Sequence, residues 1–160
     1  MRIASLLIVT AGFGVVATLS MAPHSLTARP PDRLTAPSAP TEITVYRSAS
    51  CGCCKKWEDY LRTNGFTVKD VVQDDLSTLK AESGVTGKLA SCHTAFVGGY
   101  VVEGHVPAAD IQRLLKEKPK VLGITAPGMP GAGPGMDTGK DPYEVLTFDA
   151  KGNTTVWAKH

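Results

Sequence analysis

Apolar residues recur with strand and then helix periodicity at the start of the domain. Residues 41–47 alternate between apolar and polar positions, as a half-buried strand does. Residues 53–64 follow a helical period instead, because Trp57 and Leu61 lie four positions apart and Gly65 follows as a left-handed stop. The pattern therefore predicts a strand followed closely by a helix.

Periodicity and turn residues also predict the remaining elements and the fold class. A β-branched strand at 66–72 is followed by a short helix through Leu76 and Leu79, which Asp74 and Asp75 can cap and which ends at Gly84. Next come a hairpin of 94–97 and 100–103 around Gly98-Gly99 and a helix from Pro107 that stops before Pro119. A hairpin of 144–148 and 154–158 closes the domain. We therefore predict an α/β (α+β) fold with the thioredoxin-like order β-α-β-α-β-β-α. Between the last helix and the closing hairpin, residues 126–141 are too rich in Gly and Pro for either element and predict a loop.

The N-terminus has the features of an export signal. Arg2 precedes an uncharged apolar stretch from Ile3 to about Leu19, and Ser20-Met21-Ala22 resembles a cleavage site of the A-x-A type. A retained membrane anchor is the alternative, since the stretch is close to the roughly 20 residues that a spanning helix needs. Cleavage near residues 26–28 is also compatible with the sequence.

Composition then separates a tether from the domain. Residues 23–40 are rich in Pro, Ser, Thr and Ala without apolar periodicity, which predicts a disordered linker between a signal peptide at 1–22 and a domain at 41–160. Lys and Arg number 17 against 15 Asp and Glu, and no basic stretch carries interleaved aromatics. Nucleic acid is therefore not an expected partner.

The candidate chemistry is concentrated in Cys51-Gly52-Cys53-Cys54, at the predicted N-terminus of the first helix. Thiolates are soft ligands for Cu(I), Zn(II) or iron-sulfur clusters, and a helix N-terminus favours the thiolate form. Cys51 and Cys54 also have the Cys-x-x-Cys spacing of thiol-disulfide exchange. The third thiol, Cys53, argues against a simple disulfide exchanger because it invites scrambling, whereas a metal cluster can use neighbouring sulfurs as bridges.

A purely structural alternative is that the four cysteines form two disulfides. Cys51 with Cys54 and Cys53 with Cys92 is one of three possible pairings. Because three of the cysteines are clustered, most pairings close very small loops and gain little chain entropy. This alternative is therefore less favoured than a metal site.

Other soft or imidazole ligands occur in the same chain. Cys92-His93 lies just before the predicted hairpin, where thioredoxin-like folds usually place a proline facing the redox pair. Taken alone, His93 would be a partly buried histidine with ordinary hydrogen bonds, but beside Cys92 and facing the thiol cluster it is favoured as a metal ligand. His105 can be either a ligand or an exposed loop residue. Met129 and Met136 could be packing residues, but they lie in the Gly/Pro loop, and thioether sulfur suits Cu(I). Of the two, Met129 is expected to fold back onto the site, because Pro127 and Pro130 stiffen its approach.

Four sequence runs together resemble the CopG-like family of periplasmic metal-binding proteins, long classed as a domain of unknown function. The resemblance covers about residues 43–157, although the loop here has Gly131-Ala132-Gly133-Pro134 where the family pattern has a serine before the second proline. The runs are Cys51-Gly52-Cys53-Cys54-Lys55-Lys56-Trp57, Ser91-Cys92-His93-Thr94-Ala95, Tyr100-Val101-Val102-Glu103-Gly104-His105-Val106-Pro107 and Pro127-Gly128-Met129-Pro130.

The resemblance implies a thioredoxin-like periplasmic protein of copper resistance. It implies a cysteine-bridged site for more than one copper ion, able to interconvert Cu(I) and Cu(II), so that the protein could be a copper oxidoreductase. Copper ions and other periplasmic copper-handling proteins are then the expected partners, with membrane contact only through an uncleaved signal peptide. The competing hypothesis is a thiol-disulfide oxidoreductase that uses Cys51 and Cys54. The candidate metal ligands are Cys51, Cys53, Cys54, Cys92, His93, His105, Met129 and Met136.

Overall fold

The first strand and the first helix form where their periodicity requires. In the computed structural model, which describes residues 40–160, strand β1 spans Thr41–Arg47 and buries every second residue of its C-terminal part. Helix α1 spans Gly52–Thr63 and buries Trp57 and Leu61 on one stripe. It ends where Gly65 takes a φ of +88°, a conformation that glycine adopts without steric cost.

The remaining elements follow in the predicted order as far as the third helix. Residues 40–160 all lie within one compact unit. The elements after α1 are β2 (Phe66–Val72), α2 (Ser77–Glu82), a single 3₁₀ turn (Gly87–Leu89), β3 (His93–Val97), β4 (Tyr100–Glu103), α3 (Ala108–Glu117), β5 (Gly123–Thr125), β6 (Glu144–Phe148) and β7 (Thr154–Lys159). The predicted α/β class is confirmed.

One mixed sheet of seven strands organises the chain, in the order β2-β1-β3-β4-β5-β6-β7. Pairs β1–β2 and β4–β5 are parallel, and the others are antiparallel. Arg47 at the end of β1 pairs with His93 at the start of β3, and Glu103 at the end of β4 pairs with Thr94. The segments that follow β1, precede β3 and follow β4 therefore meet at one end of the sheet.

Both faces of the sheet are covered by apolar packing. The larger cluster joins Trp57 of α1 and Ile111 of α3 to strand residues such as Val102. The neighbouring residue Val101 belongs to a second cluster with Phe148, because successive strand residues point to opposite faces. Helix α1 is thus anchored to the core by Trp57 and Leu61.

The structure adds detail that the periodicity did not give. Strand β5 was not predicted, and α2 begins at Ser77, whose N–H donates to Asp75 Oδ1 at 2.8 Å. Helix α3 begins at Ala108 with Pro107 as its N-cap residue. Within residues 40–160, no helix has the length and apolar character to cross a membrane. The predicted signal peptide and almost all of the predicted linker lie outside the described residues.

Candidate metal site

Four cysteine sulfurs converge where the first helix begins. Cys51 is the N-cap residue of α1, and its N–H donates to Ser48 O at 3.2 Å to close the turn after β1. Cys53 and Cys54 follow in the first helical turn, and Cys92 approaches from the residue before β3. The four sulfur atoms all lie within 4.8 Å of one another. The predicted cysteine cluster is therefore present as a spatial unit.

Two of these sulfurs are joined and two are thiols. Cys51 and Cys54 form a disulfide, while Cys53 and Cys92 are free. The Sγ atom of Cys53 lies 3.5 Å from that of Cys51. Only the Cys51–Cys54 bond of the two-disulfide alternative is thus formed, and Cys53 stands next to it as a potential nucleophile or ligand.

A second group of ligand atoms shares Cys92 with the cysteine cluster. Cys92 Sγ lies 3.4 Å from Nδ1 of His93 and 3.1 Å from Nε2 of His105. On its other side, His105 Nδ1 lies 2.9 Å from Pro134 O, and since a carbonyl oxygen only accepts, Nδ1 carries the proton. The Nε2 lone pair of His105 therefore points at the sulfur, as in metal-ligating histidines whose other nitrogen donates to a carbonyl.

His93 is enclosed completely and has spare coordination capacity. Its ring centroid lies 4.3 Å from that of Trp57 and 4.9 Å from that of His105. Among the described residues, His93 Nε2 finds no hydrogen-bond partner although it is buried. Burial lowers the pKa of His93 well below its usual value, and the nearby His105 and Lys80 lower it further. A neutral imidazole in this position is chemically suited to bind a metal ion.

Burial keeps the Cys92 thiol protonated in the metal-free protein. It raises the pKa of Cys92 to about 11, and the neighbouring Cys53 contributes in the same direction. Burial also lowers the pKa of His105, so this imidazole is neutral near pH 7. Because thiolate and neutral imidazole are the ligating forms, the histidines are ready to ligate, whereas Cys92 must release a proton.

The Gly/Pro loop packs against this site, and we call residues 126–136 the strap. Its Gly128 N–H donates to Ala90 O at 2.9 Å, and its Gly128 carbonyl accepts from the Ser91 hydroxyl. Gly135 lies against the first turn of α1, where a Cβ atom would come within 2.7 Å of Trp57 N and 3.0 Å of Cys53 O. The strap thus joins the β3 side of the site to the helix that carries the cysteines.

The two strap methionines differ in exposure. Met136 is 9% exposed, whereas the Met129 side chain is 58% exposed. The sequence favoured Met129 as the methionine that folds back, because of its flanking prolines, but the structure buries Met136 instead. Whether either thioether ligates a metal ion stays a prediction.

Buried charges next to the site were missed by the sequence analysis. Arg47 forms ion pairs with Glu58, at 3.0 Å, and with Asp70, and its Nη1 donates to Ser48 O at 3.1 Å at the start of the cysteine turn. Glu103 is fully buried and pairs with Lys80. The available signal was a charged residue at an inward position of a strand, as Arg47 and Glu103 both are.

The donor set fits a soft metal. Four sulfurs and two neutral imidazoles gather at one end of the sheet, and this mixture suits copper or zinc more than hard cations such as Mg²⁺. Two of the sulfurs are tied in a disulfide, so the full set is available to a metal only after reduction. The same disulfide gives the site the chemical capacity for thiol-disulfide exchange.

Comparison with known proteins finds one family model and two similar solved structures. Residues 89–136 match the family described as a protein of unknown function, DUF411. Two solved structures, both of a copper resistance protein, CopG, in forms 1 and 2, are each 45% identical to the chain, with a TM-score of 0.71. Each alignment covers 76% of this chain and 98% of the solved one. No curated protein matches the chain.

Proposed function

Since the chain belongs to the CopG family of copper resistance proteins, we propose that it binds more than one copper ion in copper resistance or homeostasis. The observation that carries the proposal is that Cys92 is shared by two ligand groups, one of four cysteines and one of Cys92, His93 and His105. A thiolate can bridge two metal ions. The Cys92 sulfur belongs to both the thiol cluster and the imidazole group, which supports a bridging role for it.

The proposed ligands fall into thiolates, imidazoles and thioethers, and each class has its own role. Cys51, Cys53 and Cys54 supply thiolates from one helical turn, and His105 supplies Nε2 while Pro134 O holds its other nitrogen. Thiolates stabilise Cu(I), and imidazole makes Cu(II) accessible. Bound copper would supply one-electron chemistry, so a site with both ligand types could cycle between the two oxidation states. Met129 and Met136 remain proposed thioether ligands.

Because of the disulfide, the amount of copper bound should depend on reduction. Cys51 and Cys54 can act as thiolates only after a dithiol reductant delivers two electrons and two protons to their bond. The oxidised form keeps Cys53, Cys92 and the two histidines as ligands. We therefore expect the reduced protein to bind more copper than the oxidised protein.

Copper titration of the purified exported form tests the proposal. The protein is reduced under anaerobic conditions and titrated with Cu(I) against a competing chelator, and the bound metal is counted by elemental analysis. We expect saturation above one equivalent per chain, because the ligands outnumber the roughly four that one tetrahedral ion uses. Saturation at one equivalent would reject the multinuclear site, and no binding would reject the copper function.

Thiol-disulfide exchange is the second candidate function, and the Cys51–Cys54 disulfide at the start of α1 favours it. Replacing Cys53 by Ser separates the two functions, because it removes a proposed ligand and leaves the disulfide possible. We expect this variant to load copper poorly. If it keeps its copper, and only Cys51→Ser and Cys54→Ser abolish a dithiol-reductase activity, the oxidoreductase function is the correct one.

We also propose a location for this chemistry. On the sequence evidence, residues 1–22 direct export to the periplasm, residues 23–40 tether the chain, and residues 41–160 form the metal-binding domain. Other periplasmic copper-handling proteins are then natural exchange partners. Fractionation of cells, with N-terminal sequencing of the exported form, tests both the location and the cleavage position.

A further inference from the structure

Glu103 lies at the centre of a hydrogen-bond network beside the proposed metal site. Its side chain has no exposure to solvent. Oε1 accepts from Lys80 Nζ at 2.5 Å and from the Ser91 N–H at 2.6 Å, while Oε2 accepts from the Thr94 hydroxyl at 2.7 Å. Lys80 Nζ also donates to Thr94 Oγ1 at 2.9 Å. The three hydrogen bonds to this carboxylate therefore come from three different residues, Lys80, Ser91 and Thr94.

Two of these donors flank a pair of proposed metal ligands, Cys92 and His93. Ser91 is the residue before Cys92, and Thr94 is the residue after His93, so one carboxylate holds both ends of the Cys92-His93 pair. Next to Glu103, the Gly104 N–H donates to His93 O at 3.1 Å. We call Lys80, Ser91, Thr94 and Glu103 the carboxylate clamp.

The clamp also extends to the third ligand and to the strap. Gly104 takes a φ of +73°, and a Cβ atom there would lie 2.5 Å from Ser91 Oγ and 2.7 Å from Ala126 O. This close turn leads the chain directly into His105. Since the Ser91 hydroxyl donates to Gly128 O, the residue that Glu103 holds also anchors the strap. The clamp thus bonds to the residues on either side of the Cys92-His93 pair, and Gly104 leads the chain from Glu103 to His105.

Stability alone is a weak reason for a buried ion pair. Removing Lys80 and Glu103 from water costs free energy that their attraction only partly offsets, and apolar residues of similar volume often serve stability as well. Metal ligands, however, need fixed positions, and the groups that orient them affect affinity without touching the ion. A clamp around a ligand pair matches the second requirement.

We propose that Glu103, with Lys80, is a positioning residue that holds Cys92 and His93 in the geometry that binds copper. The inference rests on the proposed copper function for its consequence, but the clamp itself can be tested in the metal-free protein. Its loss frees the backbone on both sides of the ligand pair. Cu(I) affinity then falls, and the partly buried Cys92 thiol becomes more accessible.

A pair of Thr94 variants tests this with little change in volume. Thr94→Val replaces the clamp hydroxyl by a methyl group, and Thr94→Ser retains it. Glu103→Gln removes the charge but keeps an acceptor for the Ser91 N–H. Thr147→Val is the matched control, because it removes a hydroxyl bonded to Thr155 Oγ1 at 2.6 Å in the β6–β7 pair, three strands from β3.

Two measurements are made on each variant below its unfolding temperature. The first is the alkylation rate of Cys92 by iodoacetamide in the metal-free protein, followed by mass spectrometry. The second is the Cu(I) affinity of the reduced protein against a competing chelator. We expect Thr94→Val and Glu103→Gln to speed alkylation and to lower Cu(I) affinity by about 10- to 100-fold, as other changes behind metal ligands do.

The controls make the result decisive. Thr94→Ser should behave as the wild type in both measurements, and Thr147→Val should lower the unfolding temperature alone. If Thr94→Val loses stability as Thr147→Val does, yet keeps the wild-type alkylation rate or Cu(I) affinity, the clamp is only structural and the proposal is overturned. If the wild type binds no Cu(I), the proposed function fails, and the alkylation rates still decide whether the clamp positions Cys92.

Discussion

Replacing Gly135 by Ala is the sharpest test of how the strap reaches the metal site. The new Cβ atom would lie 2.7 Å from Trp57 N, 3.0 Å from Cys53 O and 3.1 Å from Lys56 C, all backbone atoms of α1. A helix backbone cannot move aside as the end of a flexible side chain can. The strap must therefore lift away from the first turn of the helix.

The loss of stability expected for Gly135→Ala has two contributions. Gly135 has a φ of +82°, and a left-handed conformation costs a non-glycine residue about 1–2 kcal/mol. Overpacking adds about 1–3 kcal/mol. Gly128→Ala is the matched control, because Gly128 has a φ of +70° in the same strap but a Cβ there would meet no atom within 4 Å. The control should therefore lose only the first contribution.

Urea unfolding of the reduced, metal-free protein measures both losses. We expect Gly135→Ala to lower the free energy of unfolding by about 1–3 kcal/mol more than Gly128→Ala does. Gly135→Ala should also lower Cu(I) affinity, because the strap carries Met136 and the carbonyl that orients His105. Equal losses in the two variants would refute the packing of the strap against α1.

Three further predictions concern the sulfurs. Met129→Leu and Met136→Leu together should change the free energy of unfolding by less than about 1.5 kcal/mol. The double variant should nevertheless bind Cu(I) more weakly or bind fewer Cu(I) ions, and it should lose more Cu(I) affinity than Zn(II) affinity. Unchanged Cu(I) binding would show that the thioethers are not ligands. In metal-free protein at pH 8, alkylation of Cys92 should be slow and rise about tenfold per pH unit towards its pKa of about 11; a plateau by pH 9 would contradict this. Since the same pKa is raised above its unfolded value, stability should fall between about pH 9 and 11, and Cys92→Ser should reduce that fall in urea titrations.

Local periodicity was sufficient for most elements of the fold. Strand β2 was predicted with the bounds that it has, and the β3–β4 hairpin was located by Gly98-Gly99. Strand β5 was missed because Gly123–Thr125 is too short to show an alternating pattern. It forms through its neighbours β4 and β6, and such long-range pairing leaves no local signal.

The candidate site was predictable where ligand chemistry is specific. The cysteine cluster and the Cys92, His93 and His105 group follow from soft-ligand residues in a fold that brings them together, and the structure unites them. For the carboxylate clamp, only the charge of Glu103 at an inward strand position was visible in the sequence. Its partner Lys80 was not predictable, because the two residues are 23 positions apart. The exposure of Met129 likewise depends on the path of the strap.

The dispersed origin of the ligands links metal loading to the stability of the fold. An unfolded chain keeps three cysteines within four residues, but loses Cys92, which lies 38 positions after Cys54, and both histidines. If these residues bind copper as proposed, folding creates the tighter binding site, and we expect copper to stabilise the folded chain by the difference between its affinities for the two states. The metal should thus raise the melting temperature, and the rise should grow with the affinity that Cys92, His93 and His105 add to that of the three cysteines at the start of α1. That increment offers a calorimetric measure of their contribution, independent of any spectroscopic signal from the site.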